Sequence, residues 1–100
     1  MLAAMRAFRI QEGDNVAVAL SDLAAGEEIP LSGEAGGRVR ALEQIPFAHK
    51  LALENIEQGR PILKYGVPVG FARRPIQRGE WVHTHNVESY FVARKRGELS

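Results

Sequence analysis

The chain has no cysteine, so disulfides, thiolate zinc sites and cysteine nucleophiles are excluded by inventory. Any metal would be held by nitrogen and oxygen. Long apolar runs are also missing: the opening Met1 to Ile10 is interrupted by Arg6 and Arg9, and no stretch approaches the roughly 20 residues of a membrane helix. Neither sign of charge dominates, with 13 Lys and Arg against 12 Asp and Glu. A nucleic-acid-binding face would show a basic excess; here only Arg94-Lys95-Arg96 is locally basic, as a solvated tail or a docking segment. Ser21, Ser32, Ser89 and Ser100 stand in no arrangement that specifies a hydrolase triad, and there is no phosphate loop or dinucleotide fingerprint. The expectation is a cytoplasmic protein with neither nucleic-acid nor membrane partners.

What is present suits one small globular domain of 100 residues, 45% of them apolar. Ten glycines and five prolines are poor material for a helical bundle. A unit with an apolar residue three before a glycine and another three after it occurs three times: Leu23 to Ile29 around Gly26, Ile56 to Ile62 around Gly59, and Ile76 to Val82 around Gly79. Each reads as a tight turn feeding a strand, its apolar ends anchored in the core. Spacings of 33 and 20 residues argue against a solenoid.

Between the turns, Val16, Val18 and Leu20 alternate with Ala17 and Ala19, and Leu51 and Leu53 share a face with His49, opposite Lys50 and Ala52. Runs at Arg38 to Leu42, Pro61 to Tyr65 and Val67 to Ala72 are also strand-like, with Pro68 at an edge or hairpin position. The expected architecture is all-β, with short strands, glycine turns and at most one or two short helical turns, one of them at Leu53 to Gln58. Glu88 to Ser100 reads as a helix or a frayed tail.

The densest chemistry lies in Trp81-Val82-His83-Thr84-His85-Asn86. In an extended strand His83 and His85 would share a face, with Cβ atoms roughly 7 Å apart. Spacing alone leaves open metal ligation, proton transfer, anion binding and a plain solvated face. Asn86 beside them can orient a ligand, whereas Thr84 faces the other way. His49 suits a hydrogen-bonded, partly buried position as well as a catalytic one. Lys50 and Lys64 suit carboxylate binding or plain solvation.

Taken together, Ile45 to Val87 resembles the N-terminal domain of the altronate and galactarate dehydratase family. The matching positions are Ile45-Pro46, His49-Lys50, Lys64-Tyr65-Gly66, Gly70 with Ala72, Gly79-Glu80, and Val82-His83 with His85-Asn86. Asp14 to Leu20 is similar to the family's opening segment. Ala48 departs from the pattern, which has glycine before the histidine. The resemblance implies a SAF-type β-clip over residues 14–88, with a leading segment at 1–13 and a tail at 89–100. It further implies the small subunit of a sugar-acid dehydratase, eliminating water from a 2-hydroxy acid and inactive alone. A separate large catalytic subunit would complete the site, and the chain would also be open to homo-oligomerisation.

On this basis His83, His85 and His49 are the expected catalytic residues, with Lys50, Lys64 and Asn86 contacting the substrate. His83 and His85 would be ligands to a divalent metal (Fe, Mn or Mg) shared with the large subunit. A sulfolactate-type sulfo-lyase subunit, a stand-alone sugar-acid binding module and a docking or oligomerising domain are the alternatives.

Overall fold

A computed structural model of the chain describes residues 6–33 and 36–90. Nine strands form: β1 (Ala7–Phe8), β2 (Val16–Ala19), β3 (Glu28–Ser32), β4 (Arg38–Arg40), β5 (Lys50–Ala52), β6 (Pro61–Lys64), β7 (Val67–Ala72), β8 (Trp81–Val82) and β9 (Val87–Glu88). They make a six-stranded sheet in the order β4-β3-β1-β2-β5-β8 and a three-stranded sheet β6-β7-β9. All pairings are antiparallel except β1 with β3. The expected all-β architecture is therefore what these residues build. The helical turn anticipated at Leu53 to Gln58 does not form. Ile56 is instead drawn into a bridge with Ile76, their backbones exchanging two hydrogen bonds of 2.8 Å. Of the anticipated helix or tail from Glu88 onward, residues 91–100, including Arg94 to Arg96, lie outside the described residues.

The glycine units are the framework, and there are four. Gly26, Gly59 and Gly79 have φ of 82°, 87° and 89°, and Ala48 has 69° at the centre of an additional unit, Ile45 to Leu51, which is second in chain order. All eight apolar ends are buried, the most exposed being Val82 at 4% and Ile56 at 3%. In each unit the central N–H donates across the fold: Gly26 to Ala41 O, Ala48 to Ala19 O, Gly59 to Ala72 O and Gly79 to Ala52 O, at 2.7 to 2.8 Å. The units then pair, the first with the second through Leu23 and Ile45, the third with the fourth through Ile56 and Ile76. Matching side chains brace both pairs: Asp22 Oδ1 accepts from Phe47 N (2.8 Å) and Asn55 Oδ1 from Arg78 N (2.9 Å). Pairing two by two explains the uneven spacing along the chain.

Two cores result. One gathers Ala7, Ala17, Ala19, Leu23, Ile29, Val39, Ala41, Ile45 and Leu51; the other gathers Val16, Ala52, Ile56, Ile62, Ala72, Ile76 and Val82. Strands β2 and β5 alternate between them, because successive side chains point to opposite faces. Val16 opposite Ala52 fills the second core, and Ala17 opposite Leu51 fills the first.

Candidate functional site

Strand β8 ends after two residues, so His83 and His85 do not stand on a strand face as the spacing suggested. The chain turns instead, with the N–H groups of Asn86 (3.1 Å) and Val87 (2.9 Å) both donating to His83 O. The cause is Asn86, which is fully buried. Its Oδ1 accepts from His83 N (3.0 Å), and its Nδ2 donates to Trp81 O (2.7 Å) and Glu80 Oε2 (3.1 Å). Short polar side chains that bond nearby backbone compete with strand formation in this way. With the carboxamide committed to the turn, Asn86 positions the histidines and offers no exposed atom to a ligand.

The turn folds both histidines around Trp81. His83 stacks on the indole, with ring centroids 5.5 Å apart and planes 5° from parallel, and the His85 ring lies 5.2 Å away. His49, carried in by the second glycine unit just before β5, stands 5.5 Å from Trp81 and 4.7 Å from His83. Its Nδ1 accepts a 3.1 Å hydrogen bond from Trp81 Nε1. All three imidazoles therefore converge, although His83 and His85 remain exposed to solvent. The His83 pKa is held below the ordinary histidine value by desolvation and then by electrostatic repulsion from His49, His85 and Lys50.

Lys50 follows His49 on the opposite face of β5 and lines a cleft of about 440 Å³ together with His83, Thr84 and Arg73 over an apolar floor of Ile62, Val82 and Val87. Lys50 is half-buried, and burial together with the neighbouring Lys64 charge lowers its pKa. Four ion pairs form among the described residues, and neither lysine takes part in one. Lys64 ends β6 with its Nζ 5.5 Å from the Tyr65 ring centroid.

The Lys64-Tyr65-Gly66-Val67 hairpin has two central residues at positive φ, 59° and 70°. Asp14, itself buried, holds that turn by accepting from Tyr65 N (3.0 Å) and Gly66 N (2.8 Å). Asn15 braces β6 by accepting from Leu63 N (2.7 Å) and donating to Pro61 O (2.9 Å). The matching segments at Asp14 and Lys64 are thus two halves of one structural device that sets the lysine's position.

Among the described residues no group of three or more histidines and carboxylates is placed to hold a metal ion. His49 is spent on the indole, which leaves two imidazoles, short of the four donors of a closed tetrahedral site. Sequence reading missed Trp81, the hub of the cluster, and Arg73 in the cleft. A lone tryptophan two positions before a histidine gives no signal until the turn brings the rings together.

Fold and cluster define an all-β clip domain with a convergent imidazole and lysine face. The chain belongs to the altronate/galactarate dehydratase SAF domain family, whose model matches residues 5–90. It is 39% identical over 85 residues to altronate dehydratase of Escherichia coli (strain K12), covering 85% of this chain and 17% of that protein. Altronate dehydratase of Bacillus subtilis (strain 168) is 36% identical over 86 residues, with the same coverage. The (2R)-sulfolactate sulfo-lyase subunit alpha of Chromohalobacter salexigens is 38% identical over 47 residues, 47% of this chain and 50% of that subunit. The chain therefore spans under a fifth of the dehydratases it matches.

Proposed function

We propose that this domain is the small subunit of a sugar-acid dehydratase, supplying the cationic and imidazole wall of a site completed by a separate large subunit. The observation that carries the reading is Lys50, half-buried beside Lys64 and His83 with no carboxylate within ion-pair distance among the described residues. Two neighbouring cations that take part in no ion pair among the described residues favour an anion, the Glu88 carboxylate in the same cleft being paired with Arg73, and the carboxylate of a 2-hydroxy acid is one. Eliminating water from such an acid requires removal of the proton α to the carboxylate, stabilisation of the resulting enolate-like charge, and protonation of the departing hydroxyl. Lys50 and Lys64 anchor the carboxylate and offset that charge. In this reading His83 and His85 accept and return protons, with His49 against His83. A divalent ion bound through His83 and His85 would need further donors from outside the described residues.

The test is dehydration of altronate or galactarate by this chain co-expressed with a large subunit resembling the rest of the dehydratases. His85→Ala and Lys50→Ala are each expected to lower activity at least tenfold. Full activity of the large subunit without this chain would overturn the reading. The likeness to the sulfolactate sulfo-lyase subunit supports a second reading, in which sulfite leaves in place of water. Release of sulfite from sulfolactate by the same complex, with no dehydration, would select it.

A further inference from the structure

Trp81 is the point on which all three imidazoles converge, yet only one of those contacts is directional. The indole N–H donates and cannot accept, so the 3.1 Å contact with His49 requires an unprotonated Nδ1. Neutral His49 then carries its hydrogen on Nε2. The Trp81 backbone is held at three points: its amide N–H donates to Glu43 Oε2 (3.0 Å), its carbonyl accepts from Asn86 Nδ2 (2.7 Å), and β8 pairs it with Leu51. The indole thus projects from an anchored backbone and packs against the first core, whereas His49 comes from a separate unit across the β5–β8 pairing.

From this geometry we infer that Trp81 is a positioning residue, which locks His49 as the Nε2–H tautomer so that the ring offers a hydrogen, not a lone pair, to a ligand. The consequence is a division of labour within the cluster. His49 can donate to a carboxylate or a departing hydroxyl oxygen. It cannot ligate a metal through Nε2 while the indole bond stands, since both nitrogens would then need to be unprotonated. His83 and His85 contact the same indole only through their ring faces and edges, so their tautomers are not set by it.

The catalytic consequence rests on the proposed function; the tautomer does not, and the two are read separately. In the isolated chain labelled with ¹⁵N, a two-bond nitrogen–nitrogen coupling is expected between Trp81 Nε1 and His49 Nδ1, with His49 Nε2 showing a protonated-type shift. Trp81→Phe keeps an aromatic ring for stacking and removes the N–H donor together with part of the indole's contact area. In that variant the His49 signals are expected to move while the core amides stay put. In the complex with a large subunit, Trp81→Phe is expected to lower kcat about tenfold with KM changed less than twofold. A His49 hydrogen found on Nδ1 or absence of the coupling would overturn the tautomer, and an unchanged kcat in an active complex would overturn the positioning role. A complex inactive toward every acid tried would remove the proposed function and leave the spectroscopic result to decide the tautomer.

Discussion

His83 shows how a side chain can stand in solvent and still be biased by its neighbours. Its ring stacks on Trp81 and lies against His49, with His85 and Lys50 close by, and desolvation followed by repulsion from His49, His85 and Lys50 disfavours a proton on it. Its pKa in the fold lies below the ordinary 6.5 that it regains on unfolding. Between those two values the unfolded chain binds more protons, so stability rises with pH across that window. The contribution is intact above about pH 6.5 and is lost as pH falls toward the folded value. Urea denaturation of the wild type and His83→Gln at about pH 8 and about pH 5 isolates it, because other titrating groups are common to both proteins. The wild type should lose more stability on acidification than the variant. Equal losses would show that the cluster does not resist the charge.

The repeating element is the glycine unit, and Ala48 is its exception. Three units were legible in the sequence because glycine marks a turn and the apolar residues at minus and plus three mark its anchors. The remaining one, Ile45 to Leu51, second in chain order, has the same anchors and was hidden by one methyl group. Its φ of 69° shows the backbone imposing the turn on an alanine. Left-handed backbone costs an L-residue about 1 to 2 kcal/mol, while glycine in its place adds about 0.4 to 1 kcal/mol of chain entropy to the unfolded state. Ala48→Gly is therefore expected to stabilise the domain by about 0.5 kcal/mol, the reverse of the usual sign for this substitution. A rise in the urea midpoint at constant slope would show it; a fall would mean that the strain is already relieved. The histidine run was misread for a related reason. Alternation predicted a strand through His85, but Asn86 captures the His83 amide and ends β8 at Val82. Burial and three bonds at one side chain outweigh a two-residue spacing rule.

At the scale of the molecule, the two cores are joined, not merely adjacent. Strands β2 and β5 each give side chains to both, so losing either core would leave the other with an uncovered sheet face. The site has the same dependence: His49 and Lys50 come from the second unit, Trp81 from the fourth and His83 from the turn just after it, and they meet where β5 pairs with β8. A domain whose cores share their central strands should unfold as one unit. Ile45→Ala opens the first core and Ile76→Ala the second, and each should cost about 3 kcal/mol through lost burial and the cavity left behind. The prediction is that both variants show a single transition, with the tryptophan fluorescence of Trp81 and the backbone circular dichroism tracking one midpoint. Trp81 packs against the first core. If Ile76→Ala gave two steps, with the circular dichroism falling before the fluorescence, the cores would be independent. The imidazole cluster would then survive on half a domain.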